Sequence, residues 1–177
     1  MSDSAPRAPI RLERWTVTAG SNVNSRAAVV IRAGGHDWQA SAEGNGAVDA
    51  LYKAVDRALA DVLGGHPLLL AYDVHALAQG PDAEGRVTVR IAPPPAATGA
   101  RADGLFDGEM SSTNTIAASV EAYIAAISQM LAVESWTGAA EDAGSLRGRG
   151  HADVDASERA EFDDEARAID TTDWFNR

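Results

Sequence analysis

The chain lacks cysteine, long apolar runs and an excess of basic side chains, and each absence excludes a class of protein. With no cysteine among 177 residues, disulfides, zinc-thiolate sites and thiol nucleophiles are excluded, and a reducing compartment is favoured. No stretch has the apolar length of a signal peptide or a membrane span, so we expect a cytoplasmic protein. The 15 Lys and Arg residues face 26 Asp and Glu, and the net charge of −11 argues against nucleic acid and membranes as partners.

Metal-binding and catalytic patterns are missing as well. No two histidines form a His-x-His pair or a helical i, i+4 pair, so we expect no metal and no cofactor. No Ser-His-Asp signature stands out, and no catalytic residue is predicted. Asp49, Asp56 and Asp61 are interpreted as the solvent-facing side of a helix. The four histidines are His36, His66, His75 and His151.

The most informative stretch that is present runs from Gly44 to Leu59 and reads GNGAVDALYKAVDRAL. Gly44 and Gly46 permit backbone torsions that other residues resist, including a positive φ. The following residues predict an amphipathic helix, because apolar side chains recur at three- and four-residue steps. Unpartnered N–H groups at a helix start favour a carboxylate or phosphate, so the loop is either a small-ligand site or a tight strand-to-helix turn. The apolar stripe consists of Val48, Leu51, Tyr52, Val55, Leu59 and Val62.

An internal duplication organises the chain. Residues 15–19 (WTVTA) and 72–76 (YDVHA) share an alternation of aromatic, valine and alanine. Strand-like residues, a loop and an amphipathic helix follow each, the second helix running from Ile116 to Leu131. We predict an α+β fold of two β-β-β-α units, each a small antiparallel sheet covered by one helix. The predicted strands are 12–19, 27–33, 37–42, 69–77, 86–92 and 105–108, with a turn at Gly34-Gly35 and a surface loop at 93–104.

Composition marks both ends of the chain as different from its middle. Residues 1–9 are predicted to be a flexible N-terminus. Residues 137–177 carry 11 acidic and 5 basic side chains, which predicts a mostly disordered acidic tail over 135–177. Residues 157–170 could form a short helix within it, and the chain closes with Trp174-Phe175 near its end.

Four segments carry a resemblance to a known family. They read RLERWTVTAG with RAAVVIR (residues 11–32), AEGNGAVDALYKAV (42–55), LLLAYDVHALAQGPDAEGRVTVRI (68–91) and NTIAASVEAY (114–123). Over about residues 10–132 they resemble the C-terminal regulatory domain of 2-isopropylmalate synthase and, more distantly, of citramalate synthase. The resemblance implies that residues 10–134 form a regulatory, ligand-binding and dimerisation domain.

The resemblance also implies a homodimer that binds leucine or isoleucine between two loops near the dimer interface. A broad apolar patch left by the two striped helices would likewise favour dimerisation. The second loop departs from the family pattern, because Met110 replaces a glycine and Ser112 and Asn114 replace two aspartates. We therefore expect weak leucine binding. The implied effector residues are Gly44, Asn45, Gly46, Val48, Asp49, Ser112, Asn114 and Ile116.

Three functions compete at this point. The first is a stand-alone amino-acid-sensing subunit that acts in trans on a separate synthase. The second is a dimeric interaction protein that has lost effector binding and works through its acidic tail. The third is an enzyme with its own chemistry at the loops, for which the sequence offers no nucleophile-base pair. The family's metal-binding catalytic barrel has no counterpart in this sequence, so we expect no enzyme activity.

Overall fold

The computed structural model describes residues 10–33, 36–95 and 104–132. These residues form two antiparallel sheets with strand orders β1-β2-β3 and β4-β5-β6, each followed in the chain by helix. The predicted α+β fold of two β-β-β-α units is confirmed. The elements are β1 (Arg11–Thr18), β2 (Ser25–Ala33), β3 (His36–Gly44), α1 (Ala47–Ala58), α2 (Ala60–Leu63), β4 (Leu68–Ala76), β5 (Gly85–Ala92), β6 (Phe106–Ser112) and α3 (Thr115–Ala132).

The central strands anchor each sheet to its helix. In β5, Val87, Val89 and Ile91 are fully buried, while the alternating residues Arg86 and Arg90 are exposed, which is the pattern of a strand with one covered face. In β2 nearly every residue is buried. The inward residues of both strands join α1 and α3 in one hydrophobic core, so the two units fold as one body.

The duplication extends to an irregularity in the first strand of each unit. The register shifts between Leu12 and Arg14 in β1 and between Leu69 and Ala71 in β4. In both strands the residue just before the shift, Leu12 or Leu69, pairs with an isoleucine of the central strand. Both are β-bulges, which add a residue and increase the local twist. The two bulges therefore occupy equivalent places in the two units.

Helices α1 and α3 lie side by side and run parallel. The Tyr52 hydroxyl donates to the Ser119 carbonyl at 3.1 Å, and the Tyr123 hydroxyl donates to Asp56 Oδ1 at 2.6 Å. Both pairs join residues 67 positions apart, so each step along one helix matches a step in the same direction along the other. Parallel packing brings the N-termini of both helices, and the loops before them, to the same end of the molecule.

Several predicted boundaries need correction. Strand β3 continues to Gly44, β6 continues to Ser112, and the first helix is interrupted at Leu59 before α2. In the segment predicted as a surface loop, Pro93 and Pro94 are buried, while residues 96–103 lie outside the described residues. The predictions for residues 1–9, for the Gly34-Gly35 turn and for the tail with its helix at 157–170 fall outside the described residues.

Helix α3 is long and apolar enough to span a membrane by length and composition alone. Its apolar residues instead pack in the protein core, with Val120, Tyr123, Ile127 and Met130 almost completely buried. The length and apolar composition of α3 are therefore explained by its packing against β5 and β6.

Candidate functional site

The first loop joins the end of β3 to the start of α1 through an unusually close backbone contact. A Cβ at Gly44 would lie 2.5 Å from the backbone nitrogen of Ala50 and 2.5 Å from Asp49 Oδ2. Only glycine fits where a strand meets the first turn of a helix at this distance. Glycine is thus required at position 44 for steric reasons.

The Asp49 side chain links the first loop to helix α1 through two hydrogen bonds. Its Oδ2 accepts a hydrogen bond from the Asn45 backbone N–H at 2.9 Å and from Lys53 Nζ at 2.8 Å. The Lys53 ammonium, and then the Asn45 N–H, hold the pKa of Asp49 below its usual range. The carboxylate is already neutralised by Lys53, so it is a poor partner for the ammonium of a bound amino acid.

Gly46 differs from the sequence prediction. It is the N-cap residue of α1, with φ −155° and ψ 171°, an extended conformation that any residue adopts. A Cβ there would meet nothing within 4 Å. The expectation that Gly46 needs a positive φ is therefore wrong. Because glycine has no side chain to cap the helix, the first N–H groups of α1 face a ligand or water.

Replacing the two glycines by alanine should separate their roles. We expect Gly44→Ala to destabilise the fold by about 1–3 kcal/mol, because the new methyl group meets backbone that cannot move alone. We expect Gly46→Ala to cost less than about 1 kcal/mol, since it loses only a modest N-cap preference. Urea unfolding measures both, and equal losses at the two positions would contradict this assignment.

The second loop is capped by its own side chains. Ser112 Oγ accepts the Asn114 N–H at 3.0 Å, and Asn114 Oδ1 accepts the N–H groups of Ile116 and Ala117 at 3.1 and 3.2 Å. Asn114 is therefore the N-cap of α3. The first N–H groups of α3 thus have side-chain partners, whereas no side chain caps the start of α1.

The predicted residues fall into two groups at one end of the molecule. Val48 and Ile116 lie in the first turns of α1 and α3, and both pack half-buried against the core. The parallel helices place them, with Gly44 to Asp49 and Ser112 to Asn114, at the same end. The structure thus provides one α-helix start without a side-chain cap, two apolar side chains, and no unpaired carboxylate among the predicted residues.

A protein-family model describes this chain over residues 1–131 as a LeuA allosteric (dimerisation) domain. The match covers well over half of the 177 residues. The chain belongs to the LeuA allosteric (dimerisation) domain family.

Relatives of this LeuA domain are 2-isopropylmalate synthases. The enzyme of Aromatoleum aromaticum is 36% identical over 105 residues, which are 59% of this chain and 18% of the enzyme. That of Trichodesmium erythraeum is 34% identical over 125 residues, or 70% of this chain and 21% of the enzyme. The enzyme of Nitrosococcus oceani is 32% identical over 122 residues, which are 68% of this chain and 21% of the enzyme. The chain spans about a fifth of these synthases, and the matched part is the regulatory domain rather than the catalytic one.

A buried polar cluster between the helices of this LeuA domain was missed by sequence reasoning. Asp56 was interpreted as solvent-facing, but its side chain is only 14% exposed, accepts the Tyr123 hydroxyl and lies 3.8 Å from His66 Nδ1. Burial raises the pKa of Asp56 to about 6, although the Tyr123 hydrogen bond and His66 oppose the shift. The only feature of the sequence that could have indicated the burial of Asp56 is its position, one helical turn after Tyr52 at the edge of the apolar stripe.

The same cluster continues toward the second sheet. The rings of Tyr52 and Tyr123 stack with centroids 4.2 Å apart. Ser119 Oγ donates to the Thr115 carbonyl at 2.6 Å and accepts the Tyr72 hydroxyl at 2.8 Å. These contacts link α1, α3 and β4 through hydroxyl groups. Within residues 10–33, 36–95 and 104–132, no group of three His, Asp or Glu side chains is placed to hold a metal ion.

Proposed function

We propose that this chain is an amino-acid-sensing regulatory domain that forms a homodimer and binds a leucine-type effector at the paired helix starts. The proposal is supported most by one observation. The parallel helices bring both predicted loops to the same end of a domain whose family is described as allosteric and dimerising. Two separate sequence segments thus meet where a single small ligand could touch both.

The chemistry of the two loops fits the parts of a branched-chain amino acid unequally. The uncapped N–H groups at the start of α1 suit the α-carboxylate, because the helix dipole also favours negative charge there. Val48 and Ile116 suit a branched aliphatic side chain. The ammonium has the weakest partners, since Asp49 is paired with Lys53 and Ser112 and Asn114 are neutral.

The biological setting follows from the relatives. We propose that the chain takes part in the regulation of leucine biosynthesis in the cytoplasm, which its family and its resemblance to 2-isopropylmalate synthases support. We propose that it acts on a separate synthase catalytic subunit, because the relatives that share this allosteric domain are 2-isopropylmalate synthases. A purified synthase assayed with and without this chain, in the presence of leucine, tests that step. Unchanged activity at all leucine concentrations would contradict it.

Effector binding is tested by restoring the two acidic groups. We expect Ser112→Asp with Asn114→Asp to bind leucine about ten- to a hundredfold more tightly than wild type, because a charge-assisted hydrogen bond to the ammonium contributes about 1.5–3 kcal/mol. Asp at position 114 also preserves the N-cap of α3. Isothermal titration calorimetry with leucine, isoleucine and valine measures the change.

The control variant is Ser111→Asp with Thr113→Asp, which adds the same charge at the alternating positions of the same loop. It should leave leucine affinity at the wild-type level. Tight leucine binding by the wild type, or an equal gain in the control, would show that other residues hold the ammonium.

A further inference from the structure

The largest exposed apolar surface of the described residues lies on β4. Its large apolar side chains are between 39% and 52% exposed, whereas those of the central strand β5 are fully buried. Singly exposed apolar residues are ordinary, but a continuous row along one strand marks an interaction surface. The row consists of Leu68, Leu69, Leu70, Tyr72 and Val74, with Leu77 just beyond the strand.

The helices do not supply this surface. The sequence predicted that the apolar stripes of the two helices would leave the exposed patch, but Leu51, Val55, Tyr123 and Ile127 are buried in the core. That expectation is wrong. The patch arises on the sheet because α3 packs mainly on β5 and β6 and reaches β4 through the contact of Ser119 with the Tyr72 hydroxyl, so the apolar side chains of β4 stay partly exposed.

Comparison with the equivalent strand shows what is missing. In β1, Leu12, Trp15 and Val17 pack half-buried against the core, and α3 contacts the strand. In β4, Tyr72 and Val74 face Val89 and Val87 on the same side of the sheet as α3. They are nevertheless exposed by 39% and 45%. The second unit has no further helix after it in the described residues to cover its first strand.

β4 is also an edge strand, because its sheet has the order β4-β5-β6. Edge strands present a row of backbone donors and acceptors that can pair with another strand. The bulge at Leu69/Ala71 leaves a regular segment from Ala71 to Leu77, and Val74 is its midpoint. Antiparallel pairing of this segment with itself would place residue 74 opposite residue 74.

We infer that β4 pairs antiparallel with β4 of a second copy of this chain, about a twofold axis at Val74, to form a continuous six-stranded sheet. This inference rests on the homodimer proposed above and names its interface. The pairing places Asp73 opposite His75 of the second copy, twice, and Tyr72 opposite Ala76, so that a carboxylate meets an imidazole that can donate a hydrogen bond and a large side chain meets a small one. A second copy is favoured over an unrelated partner because this self-complementarity is present in one strand and the family is a dimerisation family.

Disulfide trapping tests the register directly. The chain has no cysteine, so Val74→Cys introduces one thiol per protomer. Residues directly opposite in an antiparallel pair have Cα atoms about 4.5–5.5 Å apart, within the range of a disulfide. We expect mild oxidation of Val74→Cys to yield a covalent dimer on a non-reducing gel. Val23→Cys, exposed by 62% in the turn between β1 and β2, should remain a monomer on that gel.

Sedimentation equilibrium of the full chain tests the interface without crosslinking. We expect a wild-type dimer, and a dissociation constant raised at least about 30-fold by Val74→Asp, because the pairing would place two carboxylates directly opposite each other at the twofold axis. Val23→Asp and Leu105→Asp, both at positions 62% exposed, should leave the dimer unchanged. Circular dichroism confirms that each variant is folded.

Each failure has its own meaning. A monomeric wild type would overturn both the proposed homodimer and this interface. A wild-type dimer that survives Val74→Asp, and is not trapped by Val74→Cys, would keep the homodimer and overturn the pairing of β4. If the wild type is a monomer and Trp174→Ser with Phe175→Ser is a dimer, the tail covers β4 in place of a second copy, and the pairing of β4 in the wild type is likewise overturned.

Discussion

Gly108→Ala is expected to destabilise the fold by more than about 3 kcal/mol, the largest loss expected for an added methyl group among the glycines that the structure describes. A Cβ at Gly108 would overlap the Ala122 carbonyl oxygen and lie 2.6 Å from the Ala126 backbone nitrogen. Both obstacles are backbone atoms of α3, so the methyl group fits only if β6 and the helix separate. Thermal unfolding should show a midpoint lowered on the order of 10–20 °C.

The matched control for this loss is Gly20→Ala. Gly20 is exposed, and a Cβ there would make an ordinary 3.4 Å contact with Val23 Cγ2. We expect its unfolding midpoint to stay within a few degrees of wild type, because most exposed substitutions change stability by less than about 0.5 kcal/mol. If Gly108→Ala and Gly20→Ala unfold at the same temperature, β6 and α3 are further apart than the structure shows.

Local sequence patterns predicted the elements of this fold because their causes are local. The alternation of Arg86, Val87, Thr88, Val89 and Arg90 indicates a strand with one buried face, and β5 has that face buried. The apolar stripe from Ile116 to Leu131 indicates a helix, and α3 spans Thr115–Ala132. The duplication was visible because both units repeat the same short alternation.

Contacts between the two units could not be predicted in the same way. The burial of Asp56 depends on Tyr123, which is 67 residues away, and no pattern within α1 contains that information. The prediction for the conformation of Gly46 was wrong because glycine permits a positive φ without requiring it. The requirement at Gly44 comes instead from the approach of Ala50. The second loop was predicted from family resemblance, but its internal capping by Asn114 became visible only from geometry.

The exposed row on β4 shows a related limit. Its sequence, LLLAYDVHA, predicts a strand as strongly as the sequence of β1 does, yet the apolar side chains of β1 are half-buried against the core while those of β4 are exposed. Whether such residues are covered depends on which unit follows them. An edge strand of this kind therefore becomes recognisable as an interface only after the whole domain is assembled.

Asp56→Asn is expected to stabilise the protein at neutral and alkaline pH by up to about 3 kcal/mol and to have little effect near pH 4. Burial raises the pKa of Asp56 from 3.8 to about 6, so folding favours the protonated carboxyl. The stabilisation from this group is fully present below pH 3.8 and is lost as the pH rises through 6. A shift of about two pKa units corresponds to about 3 kcal/mol. The amide has no charge to bury and keeps an oxygen that accepts the Tyr123 hydroxyl.

The measurement is the free energy of unfolding of wild type and Asp56→Asn from pH 4 to pH 8, where contributions from all other groups cancel in the difference. The exposed Asp61→Asn is the control and should follow wild type within about 0.5 kcal/mol. Tyr123→Phe adds a second arm, because it removes the donor to a buried carboxylate. It should cost about 1.5–3 kcal/mol in wild type at pH 8, and about 0.5–1.5 kcal/mol in the Asp56→Asn background. If wild type and Asp56→Asn keep a constant difference across this pH range, the Asp56 carboxyl ionises in the folded protein as readily as in water, and its burial between α1 and α3 has no energetic consequence.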